Sequence, residues 1–365
     1  MPASSWSVRC SMNFEVVRSL GSSSIVPPAP VPGAVSGDGF ARQQLKRQPW
    51  VDVLKGLGII FVVVGHITYN QLLVKTIFMF HMPLFFLLGG WLHNPERSQG
   101  GYLKVKTRSL LVPYLCFLVV LWPLELLVAF PDQRWTGAWV LTSLIKPMLL
   151  GGPLLTGFAA VFWFVTCYFL TQQLMHFLLR RYSMRQCALI CSLMLVCAYV
   201  NALLLPQLWL PWSANVVLIA APIYFIGYCA RFREISGLTP VVLIVALAAA
   251  ALNVLGYHNA FDMKAVDYGF PVVTLISALA CIAVLAVIAR HLQSNVLGRA
   301  LAAIGGASMT IMFLHQFVQL VMAKEFGVSQ ALPRMVGALL LCFLIHRLLK
   351  KSPLTARLFL GMRAA

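Results

Sequence analysis

Ten stretches of this chain are long and apolar enough to cross a lipid bilayer, and they leave little sequence for anything else. They are Trp50–Tyr69, Ile77–Leu92, Ser109–Phe130, Phe158–Leu179, Gln186–Leu205, Ala214–Ala230, Leu238–Leu255, Pro271–Ala289, Leu301–Met322 and Val336–Leu349. Most approach the roughly 20 residues that a helix needs to span the hydrocarbon. Inside lipid every backbone polar group must be satisfied within the protein, which for runs of this length means helix. The expected fold class is an all-α membrane protein, a polytopic bundle of about ten transmembrane helices. A content of 60% hydrophobic and 10% charged residues excludes an ordinary soluble domain.

Basic residues orient the bundle. Of 28 Lys and Arg, only Lys75, Arg134, Lys146, Lys264, Lys324 and Arg334 fall in the alternate set of loops, and Lys55 lies within the first helix. By the positive-inside rule the richer side, which holds both termini, is cytoplasmic. The same asymmetry accounts for the formal charge of +18, so no nucleic-acid partner is expected. Residues 1–48 contain the run SSSIVPPAPVPG and no apolar signal core, and read as a disordered cytoplasmic tail. Initiation at Met12 reads equally well. Residues 49–352 form the transmembrane domain and 353–365 a cytoplasmic C-terminal tail. The nine cysteines show no CxxC pair and no Cys/His metal spacing, and read as small core residues.

Ionisable residues at membrane depth are expensive and therefore point to function. Lys55 and His66 share the first helix. Eleven residues turn a helix through about 1100° and raise it about 16 Å, so both side chains lie on one face, the lysine near one surface and the histidine well inside. The topology puts His66, His81, Glu125, Trp163 and His315, from five helices, in one layer of the outer half of the membrane. Each has a structural alternative. A histidine can be a helix-to-helix hydrogen bonder, Trp163 part of an aromatic belt, and Glu125 a snorkelling helix-end carboxylate. His81, followed by Met82 and Pro83, can hold a bent helix, and Lys55 can pair with Asp52 one turn away. Their shared depth favours a site. His93, His176, His258, His291 and His346 fall at helix ends or in loops, where water is expected to solvate them.

The run RQPWVDVLKGLGIIFVVVGH resembles the start of the acyltransferase-3 family of integral-membrane O-acyltransferases, whose Arg/Lys-x10-His pattern is met by Lys55 and His66. FMFHMPLFFLLGGWLH is similar to the family's second helix and contains His81. KTRSLLVPYLCF, VFWFVTCYF and GGASMTIMFLHQF resemble its later segments, the last through Gly305, Ser308 and His315. The form Asp52-x-x-Lys55-Gly56 looks more like the branch of fucose 4-O-acetylases and exopolysaccharide (xanthan-type gum) acetyltransferases.

That resemblance implies transfer of an acetyl group from cytoplasmic acetyl-CoA, with no metal, to a sugar hydroxyl of an exopolysaccharide or its lipid-linked repeat unit. It implies a multi-pass protein of the bacterial inner membrane, alongside a polysaccharide assembly machinery. Lys55, Lys104, Lys106 and Arg108 are the cations expected to meet the donor's phosphates. Gly56, Gly58 and Gly65 would allow a donor arm or a neighbouring helix close to the first helix. His66 is the expected general base, oriented by Glu125, with His81 or His315 donating to the oxyanion or binding the acceptor. Trp163 and Ser308 complete the expected substrate-binding set. Buried His and Glu in a ten-helix bundle also describe a proton-coupled exporter of a glycan or an anion, and this alternative stays open on sequence alone.

Overall fold

The computed structural model describes residues 48–130, 132–232, 239–257, 259 and 261–362. The tail assigned to residues 1–48 lies, apart from Gln48, outside the described residues, as does His258. All ten apolar runs are helical: α1 Pro49–Ile67, α2 Gln71–Trp91, α3 Gln99–Ala129, α4 Gly137–Leu150, α5 Trp163–Arg181, α6 Met184–Leu204, α7 Val217–Ala230, α8 Thr239–Val254, α9 Val273–Leu292, α10 Val296–Gly306, α11 Ser308–Lys324, α12 Ala331–Leu349 and α13 Pro353–Phe359. Here α4 is an additional short apolar helix, and α13 packs Phe359 against Phe117 with ring centroids 5.0 Å apart. Among the described residues there is no strand, only an isolated bridge between Asp262 and Asp267. Among the described residues, eight helices or helical segments are long and apolar enough to cross a membrane, or nine with the bent pair α10–α11 counted as one span. The chain is an all-α polytopic membrane protein.

Local chemistry sets the helix starts. Asn70 accepts from the Leu73 N–H at 3.0 Å, Ser98 from Gly101 at 3.2 Å and Asn295 from Gly298 at 2.7 Å, while Ser183 and Gln186 form a capping box. Two runs that look short by hydropathy are full-length helices, α2 starting at its Asn70 cap. α2 begins six residues before Ile77 and α12 five before Val336, so Lys75 and Arg334, placed in loops by hydropathy, belong to helices.

The ninth run is not one straight span. It breaks at Ala307 into α10 and α11, which meet at 76°. Gly305 and Gly306 carry low helix propensity to that point, and the Ala307 N–H turns back to the Ile304 carbonyl at 3.0 Å. The seventh run, as α8, is shorter than a full span.

Large apolar side chains face outward in stripes. Leu189, Leu193, Val196, Val200 and Leu203 run along one side of α6, and Leu340, Leu344 and Leu348 along α12, all exposed. In water such patches would be a liability; here they meet lipid. Lipid tails give helices no hydrophobic reason to associate, so close packing at small residues carries the contact. A Cβ on Gly56 would strike the Leu301 carbonyl, and one on Gly305 the Asp52 carbonyl. Gly90 and Gly227 form a second such crossing between α2 and α7, against the Tyr224 and Leu87 carbonyls. Gly58 and Gly65 face Leu84 of α2 and Ile77 and Phe78 of α2. The first-helix glycines thus seat neighbouring helices.

Candidate active site

Three histidines on three helices make the same local bond. His66 Nδ1 lies 2.8 Å from the Val62 carbonyl, His81 Nδ1 2.9 Å from Ile77, and His315 Nδ1 2.9 Å from Ile311. A carbonyl only accepts, so each Nδ1 carries the hydrogen and each neutral ring leaves Nε2 bare. The rings gather: His66 is 5.3 Å from His315 and 6.3 Å from His81, centroid to centroid. His315 is fully buried, and its Nε2 has no partner.

His66 and His81 line a cavity of about 240 Å³. Trp163, the first residue of α5, forms part of its wall, with Met312 from α11. The remaining side comes from the segment between α8 and α9, through Phe261, Asp262, Met263 and Lys264. That volume lies below the usual span for drug-sized ligands and suits one sugar ring or a short acyl group.

Glu125 does not join this group. Its Oε2 accepts from the Phe158 N–H at 2.8 Å, and its carboxylate packs over Gly157, whose φ of +49° only glycine adopts readily. Glu125 therefore fastens the turn that leads into Trp163. Ser308 is also absent from the cavity wall. It opens α11 seven residues before His315, about 10 Å away along the axis.

At the far end of α1, Lys55 Nζ sits 3.4 Å from Asp52 Oδ1. Lys106 lies over the Tyr102 ring at 5.3 Å and within the repulsive field of Arg97 and Lys55. Two of the four expected donor-binding cations, Lys55 and Lys106, are thus neighbours, with Arg97 as a third that sequence reasoning did not single out. Lys104 is exposed, and Arg108 donates to the Met362 carbonyl at 3.3 Å. Among the described residues no three of His, Cys, Asp and Glu are gathered to hold a metal ion.

Sequence reasoning expected water around His93 and His176, and the structure corrects this: both are buried. His176 stacks on Tyr102 at 3.9 Å, and its Nε2 donates to the Arg97 carbonyl at 3.1 Å. His176 Nδ1 then accepts from His93 Nε2 at 3.4 Å, and His93 Nδ1 accepts from the Tyr224 hydroxyl at 2.8 Å. Arg231 donates to the His93 carbonyl. Burial, followed by the fields of His176, Lys106 and Arg231, pulls His93 down to about 3.

Two further cavity residues escape the sequence: Lys264 is placed only in a loop, and Asp262 is not singled out. The signal for them was local: FDMKAVDYGF alternates buried apolar with charged side chains, unlike a solvated loop.

A model of the acyltransferase-3 family, described as an acyltransferase domain, matches residues 48–347. The chain belongs to the acyltransferase-3 family. No curated protein and no solved structure matches it. As an acyltransferase-3 member the protein is a membrane acyltransferase, and the exporter alternative falls with that assignment. Lys55, His66, His81, Trp163 and His315 all lie within the matched segment.

Proposed function

We propose that this acyltransferase moves an acetyl group from cytoplasmic acetyl-CoA to a sugar hydroxyl, the acceptor being an exopolysaccharide or its lipid-linked repeat unit. In this reading both termini are cytoplasmic and the membrane is the bacterial inner membrane, because the basic loops gather on the Lys55 side. The observation that carries the proposal is the bare Nε2 of His66 at a small cavity, roughly 16 Å along one helix from a group of cations.

Lys55, Lys106 and Arg97 meet the phosphates of the donor at the cytoplasmic mouth, where point charges suit a polyanion. The pantetheine arm follows α1 and brings the thioester to the cavity. The acceptor hydroxyl gives its proton to His66 Nε2 as its oxygen bonds to the acyl carbon. The carbon–sulfur bond then breaks, and the departing thiolate takes that proton from His66. Ester and free thiol are the products, and His66 returns to its starting state. Neutral His81 and His315 spend their only N–H on helix carbonyls. His81, which lines the cavity, is therefore left to accept from an acceptor hydroxyl, His315 stands against His66 outside the cavity wall, and the oxyanion donor must come from elsewhere. Trp163 offers its ring face to a sugar.

Purified protein supplied with labelled acetyl-CoA and lipid-linked oligosaccharide should release free thiol and label the glycan. Lys55→Ala should raise the acetyl-CoA KM about 10- to 100-fold with kcat little changed, as loss of a charge-assisted bond to the donor requires. Lys55→Arg should keep most activity. Thiol release without glycan labelling on any sugar acceptor would overturn the acceptor class. An unchanged KM in Lys55→Ala would remove the phosphate role.

A further inference from the structure

The segment between α8 and α9 does not behave as a surface loop. Phe261, Met263 and Tyr268 are buried within the bundle. Asp262 Oδ1 accepts from the backbone N–H groups of Lys264 at 3.0 Å and Ala265 at 3.1 Å, and the Asp267 N–H closes onto the Asp262 carbonyl at 3.1 Å. Val266 and Val272 hold φ of +60° and +65°, a region that costs a β-branched residue about 1–3 kcal/mol. Backbone strained in this way is held by its surroundings and concentrates at functional sites.

The side chains it delivers are chemically specific. Lys264 Nζ donates to the Leu155 carbonyl at 3.1 Å and the Ala160 carbonyl at 2.9 Å. An ammonium has three N–H groups, so one remains for the cavity that Lys264 and Ala160 both line. Burial pulls the Lys264 ammonium below its ordinary range, with Asp262 opposing that shift. Asp262 borders the same cavity as His66 and acts on its charge. Among the described residues, His81, His315, Asp262 and Lys264 are the titratable groups around His66.

We propose that the Phe261–Lys264 turn is the missing wall of the active site, in which Lys264 is a catalytic residue that donates its third N–H to the oxyanion and Asp262 is a positioning residue that steadies His66 as it takes the acceptor's proton. This rests on the acyl-transfer reading above and adds to it the electrophilic half of the site. No atom is gained or lost through Lys264: the carbonyl oxygen accepts its hydrogen bond while charge develops, and releases it when the carbon–sulfur bond breaks. The competing role is mechanical, Lys264 as a staple between the turn and the Leu155–Ala160 segment.

Two substitutions separate these roles in the full-length purified protein, with free thiol from acetyl-CoA and acyl transfer to lipid-linked oligosaccharide as readouts. Lys264→Gln keeps two N–H groups for the Leu155 and Ala160 carbonyls and removes the charge. It should melt near the native temperature yet lose about 10²–10³-fold in kcat, the range for loss of one oxyanion donor, with the acetyl-CoA KM unchanged. Asp262→Asn keeps the oxygen that accepts from Lys264 and Ala265. It should lower kcat at least about tenfold in the native background and have no further effect on residual activity in His66→Ala, because it acts through that imidazole. Asp262→Glu should recover part of the loss. Lys264→Gln with native kcat, or Asp262→Asn with the same fractional effect in both backgrounds, would overturn the proposal while leaving acyl transfer standing. Native protein that turns over no acyl-CoA would overturn acyl transfer from CoA and this inference with it.

Discussion

Two groups of buried histidines occupy this molecule, and they spend their nitrogens differently. In His93 and His176 every ring nitrogen has a partner, in a chain running from the Tyr224 hydroxyl to the Arg97 carbonyl. In His66, His81 and His315 one nitrogen of each ring is tied to its own helix, and the other is left bare. Burial is the same kind of cost in both places, but only the second arrangement keeps a basic atom available. A closed chain of hydrogen bonds stabilises; an open one beside a cavity can take a proton.

The largest effect expected from this contrast is at His66. His66→Ala should reduce acyl transfer about 10²–10⁴-fold, the usual contribution of a general base, with insertion and melting near native. Near-native turnover per folded molecule would erase the distinction between the groups. His315→Ala sharpens it: His315 packs against His66 without lining the cavity, so its loss is felt through that ring, and kcat should fall by at most about 100-fold and remain measurable.

The smallest effect belongs to the closed chain and appears in stability. His93 sits at about 3 in the folded protein against an ordinary 6.5. Between those values the unfolded chain binds a proton that the folded one refuses, so stability falls as pH drops below about 6.5 and is flat above it. The slope from this group is on the order of 1 kcal/mol per pH unit. Melting curves of the native protein from pH 7.5 to 5 should show the decline, and His93→Gln should flatten it without changing kcat at pH 7.5. A His93→Gln variant that folds yet loses catalysis would bring the two groups together again.

How far the sequence reaches can be judged from these same residues. Depth along a helix is legible from hydropathy and topology; of the residues it groups, His66, His81 and Trp163 line the cavity and His315 packs against His66. Depth says nothing about the direction in which a side chain leaves its helix. Glu125 belongs to the right layer but turns to the Phe158 N–H. Asp262 and Lys264 were missed for the opposite reason, because hydropathy assigns a charged segment between spans to the surface, and only packing shows that Phe261 and Tyr268 draw it inward. His93 and His176 lie at helix ends, and Tyr102 and Tyr224, from elements distant in sequence, cover them. Helix existence is written locally, and so is the weak point at Gly305–Gly306; that Gly305 meets Asp52 of α1 is a contact no local pattern encodes.

That break divides the labour along α1. α10 grips the half that carries Asp52 and Gly56, while α11 brings His315 to the half that carries His66. A single continuous helix would transmit any adjustment at the cation end directly to the imidazoles. Two pieces joined at 76° bear on the two ends separately, and α1 itself is the direct link between them. Substitution at Leu301 should therefore act first on the Asp52–Gly56 end of α1, while α11 holds His315 beside His66.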